Sequence, residues 1–141
     1  MPAATSAMPR SATPSRIAID ASALVELLLE TPFGREIAKK VAGARLIAPD
    51  IVNPEVMQSL RGLERAGKVS SERAARAISR LVHSPIARVP TTGLLTDAWS
   101  LRFNLSAYDA CYVALARALD CPLLTTDAPL RRAPSLGVRF L

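Results

Sequence analysis

Residues 105–116 read LSAYDACYVALA and decide the fold of this 141-residue chain. Ser106 has the chemistry of a helix N-cap, and the acid three residues later, Asp109, completes a capping-box-like pattern. The helix that starts there is predicted to end near Leu119 and is apolar on almost every side, which is typical of a buried helix. Asp109 is therefore a carboxylate at the start of a core helix. Because an isolated buried charge is very costly, Asp109 must be hydrogen-bonded, paired or bound to a cation.

Short apolar segments before and after this helix predict the strands of one sheet. They lie at 16–20, 45–49, 86–90, 122–127 and 138–141. Further helices are predicted at 21–30, 33–41, 53–67, 71–83 and 93–102. This alternation favours an α/β fold, a three-layer α/β/α sandwich with a mostly parallel central sheet of four to five strands.

Individual residues of these helices are assigned to a cap, a turn and the core. Asn53 is predicted to cap the helix that follows it, with Pro54 at the first helical position. The next helix carries Val82 in its apolar stripe, and the two helices are expected to form a hairpin that turns at Gly67. Trp99 is interpreted as a packing residue rather than a recognition residue.

The length and composition of the chain limit the class of protein. A chain of 141 residues can bury a core without disulfide bonds, and two cysteines are too few for a disulfide framework. We expect a single domain over 16–141, preceded by a disordered tail over 1–15 rich in Pro, Ala, Ser and Thr. No segment has the roughly 18 apolar residues of a membrane span, and the first residues do not resemble a secretion signal. A reducing cytoplasm fits these features.

The charge balance is strongly basic. Lys and Arg number 18 against 12 Asp and Glu, a formal charge of +6, and all but three of the cations are Arg. Arg forms planar, two-pronged contacts with phosphate, so this balance favours a nucleic-acid partner. Solubility and genome composition explain the same balance.

Four acids occupy positions that this fold would bring together. Asp20 and Asp127 end two predicted strands, while Glu55 and Asp109 lie in the first turns of two helices. In an open parallel sheet, ligands bind beyond the carboxyl ends of the strands, and the helices that follow begin at the same edge. We therefore expect the four carboxylates to converge there. Taken singly, each acid also has a structural explanation, as a helix cap, a capping-box partner, a dipole-matching residue or a turn initiator.

Converging carboxylates need a cation between them. Two unit charges 4 Å apart repel by about 4 kcal/mol at an effective dielectric constant of 20. A hard divalent ion removes that penalty, and ligands that are all oxygen suit Mg²⁺ or Mn²⁺. Ser22 and Thr125, beside the first and last acids, are either hydrogen-bond partners of a carboxylate or metal-bound water, or local caps. The one histidine, His83, disfavours a zinc site or a Ser-His-Asp triad.

These motifs resemble those of PIN-domain ribonucleases and, more narrowly, of VapC-type toxins of toxin–antitoxin pairs. Four segments carry the resemblance in the order of that family: IDASAL at 19–24, NPEV at 53–56, LSAYDA at 105–110 and LLTTD at 123–127. The resemblance implies a divalent-metal-dependent endoribonuclease and a PIN-like fold. Its catalytic and metal-binding residues would be Asp20, Glu55, Asp109 and Asp127. The resemblance also implies an RNA substrate, a small antitoxin that blocks the site, and a homodimer.

On this hypothesis a metal-activated water attacks the scissile phosphate, and arginines of the hairpin hold the phosphates beside it. The candidates are Arg61, Arg65, Arg73, Arg76 and Arg80, although such a row is also typical of a solvated helix face. Two other functions stay open: a non-catalytic RNA-binding module with a structural metal ion, and a PIN nuclease outside any toxin–antitoxin pair. A metal-dependent phosphatase is disfavoured because Asp20-Ala21-Ser22 lacks the second acid of an Asp-x-Asp motif.

Overall fold

The computed structural model of the chain describes residues 14–133 and 136–141. Most of the tail predicted over 1–15, namely residues 1–13, therefore lies outside the described residues. The last residue of that predicted tail is already part of the fold, since the Arg45 amide donates a hydrogen bond of 2.8 Å to the Ser15 carbonyl. The described chain thus joins the sheet one residue before its first strand.

The described residues form four strands and seven α-helices. The strands are β1 (Arg16–Ile19), β2 (Arg45–Pro49), β3 (Ala87–Val89) and β4 (Leu123–Leu124). The helices are α1 (Ala21–Leu29), α2 (Pro32–Val41), α3 (Val52–Arg65), α4 (Ser71–His83), α5 (Leu95–Ser100), α6 (Ala107–Leu119) and α7 (Ala128–Arg132). One 3-10 turn, Thr91–Leu94, precedes α5.

The four strands form one parallel sheet in the order β3-β2-β1-β4. The predicted α/β fold with a parallel sheet is confirmed. The last predicted strand, at 138–141, contributes only a parallel bridge between Phe140 and Leu123. β1 is central and apolar, which is typical of a parallel strand covered on both faces. Because β1 and β4 are parallel neighbours, their carboxyl ends lie side by side.

The helix at 107–119 was predicted correctly as the core helix. The Ser106 hydroxyl oxygen accepts a hydrogen bond of 3.1 Å from the Asp109 amide, and all seven residues from 110 to 116 are buried. The helix ends at Asp120, whose left-handed backbone (φ 47°) lets its amide bond to the Ala116 carbonyl. α6 packs against β1, β2 and β4, so its first turn lies beside the carboxyl ends of the strands.

The predicted start of α3 was wrong by two residues. The helix begins at Val52 after Ile51, and no side chain caps it. Asn53 is already helical, and its side-chain oxygen accepts a hydrogen bond of 2.9 Å from the Arg88 guanidinium. Pairing with a distant strand residue therefore replaced the local capping role. The turn at Gly67 is confirmed, with a left-handed φ of 71° that suits glycine.

Two residues assigned to the core lie at the surface. Val82 is 68% exposed on α4, and Trp99 is 67% exposed on α5. The helix predicted over 93–102 is a 3-10 turn, Thr91–Leu94, followed by the six residues of α5. The Arg102 guanidinium carbon lies 4.6 Å from the centre of the Trp99 ring and 4.3 Å from that of Phe103. In the described part of the chain, no helix is long and apolar enough to cross a bilayer.

Candidate active site

The carboxyl ends of β1 and β4 position two of the four predicted acids. Asp20 follows β1 and caps α1, while Asp127 follows β4 by three residues and caps α7. The Asp20 amide donates a hydrogen bond of 3.1 Å to the Leu124 carbonyl, which continues the β1–β4 ladder to the first acid. The parallel pairing of these two strands thus brings together acids that are more than 100 residues apart in the chain.

Asp20 lies at the buried side of the site, with 5% of its surface exposed. Its Oδ1 accepts hydrogen bonds from the Ser22 hydroxyl (2.6 Å) and the Ala23 amide (3.0 Å), and its Oδ2 accepts one from the Thr125 hydroxyl. Burial raises the pKa of Asp20, the three hydrogen bonds oppose that rise, and the charge of Asp127 adds to it. A carboxylate has about four acceptor positions, so Asp20 keeps about one for a further ligand.

Ser22 and Thr125 both donate to Asp20 and lie beside each other. Their hydroxyl oxygens are 3.4 Å apart. The Ser22 oxygen accepts from the Thr126 amide and the Thr125 oxygen accepts from the Asp127 amide, each at 3.0 Å. The two hydroxyl residues therefore link the end of β1 to the segment that carries Asp127. Both were candidate partners of a carboxylate, and their hydrogen bonds place them against Asp20.

Glu55 and Asp109 come from α3 and α6 and are half-buried. Burial raises the pKa of Glu55, the Tyr112 hydrogen bond opposes the rise, and the charges of Asp109 and Asp20 add to it. Burial likewise raises the pKa of Asp109, the charges of Asp127 and Asp20 raise it further, and Ser106 opposes the rise. Each acid thus interacts electrostatically with at least one other, and we call Asp20, Glu55, Asp109 and Asp127 the acidic cluster.

Two acids of the cluster, Asp20 and Asp127, also serve as helix caps. Asp20 Oδ1 caps α1, and Asp127 Oδ1 caps α7 by accepting from the Leu130 amide at 3.1 Å. Each cap uses one oxygen of its carboxylate. In residues 14–133 and 136–141, the ion pairs join other residues, so no Lys or Arg neutralises the acidic cluster.

Tyr112 is a residue of this site that the sequence interpretation missed. It lies one turn after Asp109 on α6, and its hydroxyl donates a hydrogen bond of 2.7 Å to Glu55 Oε1. A signal was present, because a tyrosine in a helix that is otherwise apolar all round needs a hydrogen-bond partner for its hydroxyl. The sequence could not say which partner, since Glu55 is 57 residues away.

Two of the five candidate arginines are engaged away from the acidic cluster. Arg73 donates to the Leu29 carbonyl at 2.8 Å, and Arg80 donates to the Leu28 carbonyl at 2.7 Å. Both therefore bind the C-terminal carbonyls of α1, where a cation is favourable. Arg80 also pairs with Glu30 at 3.2 Å. The other three candidates, Arg61, Arg65 and Arg76, lie exposed on α3 and α4.

The chemistry of the acidic cluster fits a hard divalent ion. Its donors are all carboxylate oxygens, three of the four acids have a pKa raised by burial and neighbouring charge, and hydroxyl groups orient the most buried one. Across the described ranges, no group of three or more acidic, histidine or cysteine side chains lies close enough together to hold a metal ion by itself. Mg²⁺ does not need such a group, because it usually keeps several waters and binds one or two carboxylates.

Comparison with known proteins places this geometry in a family. The family described as PIN domain matches residues 17–136. Ribonuclease VapC9 of Mycobacterium tuberculosis is 39% identical over 114 residues, which cover 81% of this chain and 87% of that protein.

Two solved structures have a similar fold. The crystal structure of VapBC2 from Rickettsia felis bound to a DNA fragment from their promoter matches with a TM-score of 0.63 at 13% identity, covering 89% of this chain and 97% of that one. A toxin–antitoxin complex from Klebsiella pneumoniae matches with a TM-score of 0.56 at 17% identity, covering 86% and 94%. With the four motifs in order and the fold they predict, this chain belongs to the PIN-domain family and, within it, to the VapC ribonucleases.

Proposed function

We propose that this protein is the toxin of a toxin–antitoxin pair and a divalent-metal-dependent endoribonuclease that hydrolyses RNA phosphodiester bonds. The observation that carries the proposal is the acidic cluster, in which burial and then the charges of neighbouring acids raise the pKa of Asp20, Glu55 and Asp109, without a basic partner in the described chain. Such a cluster is unfavourable by itself and favourable around a cation. The resemblance to VapC9, a ribonuclease, supports the same reaction.

The catalytic and metal-binding residues in this proposal are Asp20, Glu55, Asp109 and Asp127. Bound Mg²⁺, or Mn²⁺ in its place, would polarise the scissile phosphate, lower the pKa of a water and neutralise developing negative charge. Asp20 contributes a fixed oxygen because Ser22, Ala23 and Thr125 hold it. Glu55 and Asp109, which are more exposed, have room to orient the attacking water.

The substrate side of the proposal rests on charge. The chain carries a formal charge of +6 although its candidate active site is acidic, so its basic groups lie elsewhere. Arg61, Arg65 and Arg76 are exposed on the α3–α4 hairpin, and α3 also carries Glu55. We assign these three arginines to RNA phosphates, and we place the reaction in the cytoplasm.

The partner side of the proposal is a small antitoxin, and the active form is a homodimer. The toxin–antitoxin complex from Klebsiella pneumoniae supports the first of these.

The test is RNA cleavage by the purified chain as Mn²⁺ is titrated, for the wild type, Asp109→Asn and Glu55→Gln. Glu36→Gln is the matched control, because Glu36 is an exposed acid on α2 whose charge pairs with Lys39. We expect metal-dependent cleavage by the wild type and Glu36→Gln, and its loss in the two cluster variants. Equal cleavage by all four proteins contradicts the site assignment.

Two outcomes would favour the alternative functions. RNA binding without turnover, with or without added metal, supports a non-catalytic RNA-binding module whose acids hold a structural ion. Metal-dependent cleavage that no partner protein inhibits supports a PIN nuclease outside any toxin–antitoxin pair. If a small protein is encoded beside this chain, co-expression of the two followed by the same cleavage assay distinguishes a toxin from a PIN nuclease outside any toxin–antitoxin pair.

A further inference from the structure

One buried hydroxyl lies among the elements that carry three acids of the cluster. Tyr112 is 1% exposed on α6, one turn after Asp109, and donates its hydroxyl hydrogen to Glu55 Oε1 of α3 at 2.7 Å. Burial and the bond to Glu55 raise the pKa of Tyr112, and the charge of Asp20, the residue before α1, adds to that rise. Tyr112 of α6 thus binds Glu55 of α3 and lies near Asp20, beside the acidic cluster.

The hydroxyl of Tyr112 is not needed to fill the core. A phenylalanine has the same ring and would pack in the same volume, without a polar group that must find a partner when it is buried. The hydroxyl is nevertheless present and directed at a carboxylate. A core contact alone explains the ring but not the hydrogen bond.

The hydrogen bond fixes the orientation of Glu55. A glutamate side chain has several rotatable bonds, and a half-buried one without a partner samples several rotamers. Because Oε1 accepts from the phenol, Oε2 is the oxygen that keeps both of its acceptor positions for a ligand. Burial raises the pKa of Tyr112, and the hydrogen bond to Glu55 raises it further, so the phenol keeps its proton and stays a donor.

We propose that Tyr112 is a positioning residue: it holds Glu55 in the orientation in which this carboxylate binds the divalent ion. The inference rests on the proposed function and deepens it, because it adds to the four acids a residue of α6 that orients Glu55 on α3. Outer hydrogen-bond partners of metal ligands typically change metal affinity or activity by about 10- to 100-fold when they are removed.

The test compares Tyr112→Phe with the wild type by calorimetric titration of Mn²⁺ into the full-length metal-free chain. Tyr108→Phe is the matched control, since Tyr108 is the other tyrosine, lies on the same helix and is 60% exposed. We expect Tyr112→Phe to weaken Mn²⁺ binding about tenfold, and Tyr108→Phe to stay within about twofold of the wild type. The Mn²⁺ concentration that gives half-maximal RNA cleavage should shift by the same factor.

A double-mutant cycle separates positioning from packing. If Tyr112 acts through Glu55, Tyr112→Phe adds no further loss of Mn²⁺ affinity in a Glu55→Gln background. Full additivity overturns the proposal. So does a Tyr112→Phe protein that melts at a lower temperature but binds Mn²⁺ as tightly as the wild type, measured well below both melting transitions.

The remaining outcomes distinguish this inference from the proposed function. A wild type that binds Mn²⁺ with the Tyr112 dependence but cuts no RNA overturns the proposed function and supports the positioning role. A wild type that binds no Mn²⁺ overturns both. Should Tyr112→Phe fail to fold, Glu55→Asp withdraws the carboxylate from the phenol by one methylene, and near wild-type Mn²⁺ affinity of that variant overturns the proposal.

Discussion

Asp20 lies at the buried side of the acidic cluster, where three donors contact its two oxygens, whereas Glu55 is half-buried and its side chain accepts from Tyr112. Asp20 is positioned by its own helix and by the strand beside it. Glu55 is positioned from a different helix, across 57 residues of sequence. The comparison shows a division within one site, between a carboxylate held by three donors from its own helix and from the end of β4, and one held by a single side chain of another helix.

The largest effect should come from Asp20→Asn. The amide keeps the shape of the carboxylate but loses its charge. In the wild type both Asp20 oxygens accept from hydroxyl groups, so the NH₂ group of the amide would face a second donor. We expect RNA cleavage to fall by about 10²-fold or more, the effect of removing one preorganised electrostatic group. Single-turnover cleavage at saturating Mn²⁺ measures this. A larger loss in Glu55→Gln than in Asp20→Asn would reverse the comparison.

The next effect concerns the hydroxyl groups that hold Asp20. Thr125→Val keeps the volume but removes the donor to Asp20 and the acceptor of the Asp127 amide. We expect cleavage to fall by about 10- to 100-fold and the free energy of unfolding to fall by about 1–3 kcal/mol. Thr125→Ser is the control and should restore both. Cleavage assays and urea denaturation of the two variants check this, and equal values for them would contradict a role of the hydroxyl.

A smaller effect should appear in stability without metal. Burial and the charges of Asp127 and Asp20 raise the pKa of folded Asp109 above its ordinary value of 3.8. The folded state therefore binds the Asp109 proton more tightly than the unfolded state does. The stabilisation that protonated Asp109 gives is complete below pH 3.8 and is lost as the pH rises through the folded pKa. Ionised Asp109 thus destabilises the metal-free fold at neutral pH.

Asp109→Asn removes that charge. Because Asp109 is half-exposed and solvent screens its interactions, we expect a gain of at most about 1 kcal/mol at pH 7, or about 3 °C in melting temperature. Added Mn²⁺ should stabilise the wild type more than the variant. Thermal unfolding in EDTA and in Mn²⁺, from pH 4 to pH 8, measures both. A metal-free variant that melts below the wild type at pH 7 would contradict this reasoning.

The smallest effect should come from Trp99→Ala. As a packing residue, Trp99 would cost about 3–5 kcal/mol when truncated. As the exposed residue that the structure shows, stacked on Arg102, it should cost at most about 1 kcal/mol. Urea denaturation distinguishes the two values. Trp99→Phe is the control, because it retains an aromatic face for Arg102.

Sequence reasoning was most successful where the determinants are local. The Ser106 cap and the apolar run after Asp109 predicted α6, and the caps and breakers around 70–83 predicted α4. It failed where a distant partner replaces a local one. Asn53 has good capping chemistry, yet Arg88 takes its side chain and α3 begins at Val52. Arg73 and Arg80 resemble RNA-binding arginines, yet they cap α1.

The positions of the acids follow from the sequence, because each lies just beyond a strand or in the first turn of a helix, and a parallel sheet brings such positions to one edge. The hydrogen-bond partners of these acids do not follow from the sequence. Only the tertiary structure decides that Ser22, Thr125 and Ala23 share Asp20, and that Tyr112 reaches Glu55. The physical reason is range: caps, turns and apolar periodicity act over a few residues, whereas these hydrogen bonds form after β1, β4, α3 and α6 have packed together.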